Sequence, residues 1–118
     1  MSRIFVYGTL KRGFSAHDLM GNSAFVGEFR THPRYHLYDV GSFPTIAETN
    51  EHGNGVLGEV YEVDNKAVMQ RLDCYEGVAR GLFRKELIDL SDGSQATAYM
   101  YNHQSSGSSR KIESGEWI

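Results

Sequence analysis

Arg3-Ile4-Phe5-Val6-Tyr7-Gly8-Thr9-Leu10-Lys11-Arg12-Gly13 begins as a β-type apolar run, stops at a glycine and continues as a short basic loop. Ile4, Phe5, Val6 and Tyr7 are β-branched or aromatic, side chains that suit a pleated surface, so a buried strand is predicted here. Gly8 has no Cβ, which permits a backbone conformation, or an approach to a ligand, that other residues would block. The loop it opens offers backbone N–H groups to an anion or a polarised carbonyl. An apolar strand ending at glycine is also an ordinary strand-to-turn junction. Residues 8–12 have neither the G-x-x-x-x-G-K-[ST] spacing of a phosphate loop nor G-x-G-x-x-G.

Downstream, Ser15-Ala16-His17-Asp18-Leu19-Met20 reads as a short helix with Ser15 as its N-cap and Gly21-Asn22 as its close. Ala24–Tyr38 is strand-like, and Pro33, which cannot donate to a sheet ladder, marks an edge or a bend. Gly41-Ser42 breaks the chain before a short strand at Phe43–Ala47. Glu51–Gly55 is a turn by composition and leads into Val56–Val63, whose alternation is that of a half-buried strand. Asp64 is expected to cap a helix in which Val68, Leu72 and Tyr75 recur at i, i+4 and i+7, with Gly77 as the stop. Leu82–Leu90 and Ala96–Tyr101 are β-rich runs joined by Ser91-Asp92-Gly93-Ser94, which carries the Asp-Gly signal of a hairpin. A flexible polar link is expected near 104–109. In the closing segment, 112–118, Trp117 and Ile118 are expected to dock back on the domain.

One or two main helices among about six short strands, joined mostly by hairpins, give a small α+β domain with a mixed, strongly curved sheet or barrel. The first strand reaches its neighbours through a helix, so some pairs are expected to be parallel. The chain has 118 residues, enough for one core, and reads as a single domain over 1–118. Twelve basic against fifteen acidic residues, a net charge of −3 and no basic tract argue against a nucleic-acid partner. Cys74 is the only cysteine, which rules out an intramolecular disulfide and suits a reducing cytoplasm. No run approaches the ~20 apolar residues of a membrane helix, so no membrane partner is expected.

Glu76, in Leu72-Asp73-Cys74-Tyr75-Glu76-Gly77, falls in the last turn of the predicted helix. There the negative end of the helix dipole disfavours a further anion, which should raise its pKa and make it a better general base near neutrality. The bland alternative is a solvated glutamate at a helix end. Ser15, His17 and Asp18 crowd one short helix and cannot form a relay. Pro33 between His32 and His36 opposes the helix that would align them on a metal, and no metal site is expected. Cys74 has no histidine nearby in sequence and reads as a partly buried, inert thiol, and Met20, Met69 and Met100 read as core filler.

Val6-Tyr7-Gly8-Thr9-Leu10 resembles the Y-G-[ST]-L signature near the N-terminus of the γ-glutamylcyclotransferase-like family, in which that loop is the substrate cradle. The family's acid/base glutamate lies in an L-D-x-x-E-G pattern ahead of Y-x-R. Here Glu76, Gly77 and Arg84 match it, with Leu82 in place of the tyrosine. Ala98–Tyr101 is similar to the late core strand that carries a tyrosine toward the site. Ile112-Glu113-Ser114-Gly115-Glu116-Trp117 is similar to the closing I-E-S-G-[DE]-W of the small bacterial YtfP-type branch. The resemblance implies an enzyme without a cofactor, in which the α-amine of a γ-glutamyl group attacks its own γ-carbonyl and releases 5-oxoproline and an amine or amino acid. It further implies Glu76 as base and later proton donor and backbone donors at Tyr7, Gly8, Thr9 and Leu10, with Arg84 and Tyr101 shaping the pocket. Two alternatives stay open: a non-catalytic small-ligand or interaction module on the same fold, and a hydrolase in which Glu76 activates water.

Overall fold

A computed structural model describes residues 2–41, 43–102 and 110–118. In chain order the strands are β1 (Ser2–Val6), β2 (Ala24–Arg30), β3 (Tyr35–Asp39), β4 (Pro44–Glu48), β5 (Leu57–Val63), β6 (Phe83–Asp89), β7 (Gln95–Tyr101) and β8 (Arg110–Ile112). Helix α1 (Lys66–Tyr75) joins β5 to β6, and two 3-10 turns lie at His17–Met20 and Val78–Arg80.

The opening run becomes the middle of a five-stranded sheet, ordered β2-β5-β1-β7-β6. β1 pairs antiparallel with β5 and parallel with β7, so the expected mixed sheet forms around it. Successive side chains of a strand point to opposite faces, and β1 buries both. Phe5 joins one apolar cluster with Val60, Ala98, Leu37 and Ile46, while Ile4 and Val6 join another with Met20, Val68 and Leu72. Such burial on both faces explains why the run is apolar without alternation. The second sheet, ordered β4-β3-β8, supplies Leu37 and Ile46 to the first cluster; α1 and the 3-10 turn at 17–20 close the other face.

Eight strands replace the expected six or so, because Pro33 falls in a turn that splits 24–38 into β2 and β3, and because 110–112 pairs with β3. Only β3–β4 and β6–β7 are consecutive strands that also pair; the neighbours of β1 come from distant sequence, not from hairpins. The sheets curl toward each other without closing, linked where the Tyr101 backbone N–H donates to Thr45 Oγ1 at 3.0 Å. β5 is buried along most of its length, beyond the half-burial expected, since it lies inside the sheet with both faces covered.

The helix caps differ from expectation by one residue. Asn65, not Asp64, caps α1, its Oδ1 accepting from the backbone N–H of Ala67 (2.8 Å) and Val68 (3.4 Å). Residues 17–20 form a 3-10 turn flanked by Ala16, with no side-chain cap, so Ser15 does not serve as one. Gly77 ends the α1 region in the left-handed conformation (φ 67°), which favours glycine. Cys74 is exposed, not partly buried. Trp117 packs against the first cluster, whereas Ile118 is 93% exposed. The predicted link at 104–109 lies outside the described residues.

Candidate active site

Where β1 ends, Tyr7, Gly8, Thr9 and Leu10 form one wall of a cavity of about 250 Å³. Tyr75 and Glu76 from the end of α1, Leu82 and Phe83 at the start of β6, Tyr99 of β7, and Phe43 and Pro44 at the start of β4 complete it. Thus the first loop and the helix end, more than sixty residues apart in the chain, meet in one cavity. Gly8 makes the closure possible by close approach, since a Cβ there would come within 2.8 Å of Pro44 Cγ. Its φ is not positive, so backbone conformation is not what requires glycine here.

The loop carbonyls are occupied: Gly8 O accepts from Lys11 N, Thr9 O from Ala16 N, and Leu10 O is bonded to His17 Nδ1. The N–H groups of Gly8, Thr9 and Leu10 have no acceptor among the described residues. Buried or half-buried backbone donors are rarely left unmet in a folded protein. On the wall of a cavity, such donors suit a ligand oxygen.

Glu76 occupies the C-cap position of α1 (φ −81°, ψ −5°). Burial raises its pKa from 4.5 to about 7, because an apolar surrounding penalises the charged form. The expected rise is present, with desolvation and not the helix dipole as its main cause. Among the described lining residues Glu76 is the sole charged side chain.

Two buried phenols stand near it. Tyr7 donates its hydroxyl to the Tyr99 carbonyl oxygen at 2.5 Å. Burial, and then the charge of Glu76, push the Tyr7 phenol well above its ordinary pKa. Tyr99 donates its hydroxyl to Asp73 Oδ1 at 2.6 Å, and Lys85 Nζ donates to Asp73 Oδ2 at 3.1 Å. Burial, the Asp73 hydrogen bond and the charges of Asp73 and Glu76 raise the Tyr99 phenol as well. At the cavity's exposed side, the hydroxyls of Thr9 and Tyr75 are 2.8 Å apart, which ties the loop to the helix.

Of the residues singled out from sequence, Tyr7, Gly8, Thr9, Leu10 and Glu76 share the cavity; Arg84 and Tyr101 do not line it. Phe83 of β6 faces in, so Arg84 faces out by strand alternation, donating from Nη1 to Tyr101 O (3.2 Å) and Asn102 Oδ1 (3.1 Å). The Tyr101 ring lies behind the wall, 5.1 Å from the Phe43 ring and 5.3 Å from that of Phe83. Tyr99 reaches the cavity in its place. The two tyrosines share a strand face, and only the tertiary packing decides which one arrives.

Tyr75, read from its spacing as core, is 45% exposed and borders the cavity instead. Phe43, Pro44 and Phe83 had no signal beyond their apolarity. Among the described residues no group of three or more His, Cys, Asp or Glu converges as metal ligands would. His36 Nε2 is bonded to Glu51 O at 2.8 Å, and the His32 ring lies against that of His52. Among the described residues no helix is long and apolar enough to cross a membrane.

Comparison with known proteins gives consistent matches. A family model described as γ-glutamyl cyclotransferase, AIG2-like, matches residues 4–118. The γ-glutamylcyclotransferase family protein YtfP of Escherichia coli K12 is 36% identical over 118 residues, covering 98% of this chain and 96% of that one. The solution structure of ytfP from Escherichia coli superposes with a TM-score of 0.72 over the same shares of the two chains. The crystal structure of an AIG2-like protein from Mus musculus, 27% identical, superposes with a TM-score of 0.75 over 92% of this chain and 82% of that one.

Proposed function

Since this chain belongs to the γ-glutamyl cyclotransferase, AIG2-like family, we propose that its cavity cyclises a γ-glutamyl amide to 5-oxoproline with Glu76 as acid and base. The observation that carries this reading is the meeting of Glu76 with the unpaired loop N–H groups in one cavity. The nucleophile belongs to the substrate, so the protein need supply only orientation, a base and an oxyanion site.

In this reaction the α-ammonium of the γ-glutamyl group gives a proton to the Glu76 carboxylate. The freed amine nitrogen attacks the γ-carbonyl carbon, and the C–O π electrons move onto oxygen, to which the Gly8, Thr9 and Leu10 N–H groups donate hydrogen bonds. As the carbonyl re-forms, the C–N bond to the leaving group breaks and Glu76 returns its proton to the departing nitrogen. The carboxylate so freed takes the second proton from the ring nitrogen and passes it to the released amine, which leaves as an ammonium. The products are 5-oxoproline and an amine or amino acid. A carboxyl with a pKa of about 7 is suited to both transfers, since neither its acid nor its base form is scarce near neutrality.

Tyr101 and Arg84 shape the pocket from behind in this reading: the Tyr101 ring backs Phe43 and Phe83, and Arg84 holds the Tyr101 carbonyl. A single cysteine, which can form no intramolecular disulfide, suits a reducing cytoplasm.

The test is a panel of γ-glutamyl amino acids and γ-glutamyl amines, assayed for 5-oxoproline. Turnover by the wild type and its loss by a factor of about 10² or more in Glu76→Gln is the expected result. Full activity in that variant would remove Glu76 from the chemistry, and free glutamate as product would mean hydrolysis. A panel that is silent, with an amino-acid ligand raising Tm, would favour a binding module.

A further inference from the structure

Asp73 sits in the same Leu72–Gly77 stretch as Glu76 but does not line the cavity, and nothing in the cyclisation uses it. Its carboxylate nevertheless decides where a cavity-lining proton lies. Tyr99 is 3% exposed, and its hydroxyl hydrogen is committed to Asp73 Oδ1 at 2.6 Å. Lys85 Nζ holds the other Asp73 oxygen at 3.1 Å, which keeps the carboxylate oriented. Tyr7, the other buried phenol, has its hydroxyl hydrogen on the Tyr99 carbonyl. Tyr75 has its hydroxyl against Thr9. Both buried phenols bordering the cavity therefore have their hydrogens engaged elsewhere, and the Glu76 side chain has no hydrogen-bond partner among the described residues.

We propose that Asp73 is a positioning residue: by accepting the hydrogen bond of the Tyr99 hydroxyl it denies Glu76 a donor, and it leaves the Tyr99 oxygen as an acceptor for a substrate N–H. The proposal rests on the reading of Glu76 as the acid/base. A donor to the ionised carboxylate would stabilise the charged form and weaken it as a base. An acceptor-only phenol beside it suits an incoming ammonium group, which brings protons and no lone pair.

The groups that face Glu76 or its neighbours are Tyr7 from β1, Tyr99 from β7, Tyr75 and Asp73 from α1, Arg80 from the 3-10 turn at 78–80, whose Nη2 would lie 3.0 Å from a Cβ on Gly77, and, through Asp73, Lys85 from β6. Removing Asp73 thus changes both charge and hydrogen bonding, and the variants must separate them. Asp73→Asn loses the charge but keeps an acceptor oxygen; Asp73→Ala loses both. Both free Lys85 equally.

The experiment titrates the Glu76 carboxyl in the free protein by carbon-13 NMR. The Glu76 midpoint in Asp73→Ala is expected to fall about one pH unit or more below that in Asp73→Asn, as the released Tyr99 hydroxyl turns to Glu76. Adding Tyr99→Phe to Asp73→Ala is expected to restore the Asp73→Asn midpoint. Equal midpoints in the Asn and Ala variants, or a fall that persists without the phenol, would overturn the proposal. Tyr99→Phe alone gives a second reading that does not depend on the Ala variant folding. Its midpoint should stay at the wild-type value, and a rise by about a unit would show that the phenol already donates to Glu76. Because the titration needs no substrate, its outcome is independent of whether 5-oxoproline is formed.

Discussion

Glu76 couples stability to pH with a definite sign. Its pKa is about 7 in the folded protein against an ordinary value of 4.5, so between these pH values the folded state holds a proton that the unfolded state has lost. Its burial therefore costs nothing below about pH 4.5, progressively destabilises the fold as pH rises toward 7, and costs at most about 3 kcal/mol above that. Glu76→Gln removes the charge at every pH. The variant is expected to match the wild-type Tm near pH 4.5 and to exceed it by several degrees at pH 8, as measured by calorimetry at both pH values. A gap that narrows with rising pH would contradict a buried carboxyl. The position of Glu76 was legible in the six residues around it. The cause of its shift was not, because the apolar lining of the cavity includes Phe43 and Pro44, more than thirty residues earlier in the chain. In the same way, the alternation of β7 put Tyr99 and Tyr101 on one face but held no sign of which would meet Asp73.

At the scale of elements, β1 and α1 were readable because each carries its reason locally. β1 and the residue after it are apolar at every position from Ile4 to Tyr7 since the strand has a core on both faces. α1 has its apolar stripe, although its end clears the sheet and leaves Tyr75 at the cavity's edge, bonded to Thr9. Its start was displaced by one residue because Asp64 and Asn65 are both good caps and the sequence does not rank them. In the structure only Asn65 accepts from the first turn. Asn65→Ala is expected to cost about 1 kcal/mol, and Asp64→Ala a few tenths at most. Urea denaturation of the two variants decides between the caps, and a larger loss at Asp64 would return the cap to that residue. The pairing of strands, by contrast, was hidden: β1 finds β5 and β7 across long stretches of chain, and no local signal marks a partner so distant.

On the scale of the whole molecule, the closing segment joins the core to the loop that follows β1. Its Gly115 carbonyl accepts from Leu57 N at 2.8 Å, Trp117 packs on the cluster between the two sheets, and the Trp117 carbonyl accepts from Lys11 Nζ at 2.9 Å. Lys11 is 6% exposed, with its ammonium 4.8 Å from the centre of the Phe14 ring, and it directly follows the cavity wall of Tyr7–Leu10. A buried cation so placed needs its acceptor, and the acceptor stays in place only while the indole is anchored. Trp117→Ala is therefore expected to act twice. Loss of a partly buried ring should cost about 2 kcal/mol in urea denaturation, below the full range for a core aromatic because the ring is not fully buried. Loosening of Lys11 should also shift the loop donors, raising KM for a γ-glutamyl substrate several-fold more than it lowers kcat. Lys11→Met isolates the second effect, because it deletes the cation but leaves Trp117 seated. If both variants kept the wild-type KM while Trp117→Ala alone lost stability, the segment would serve the core and not the site.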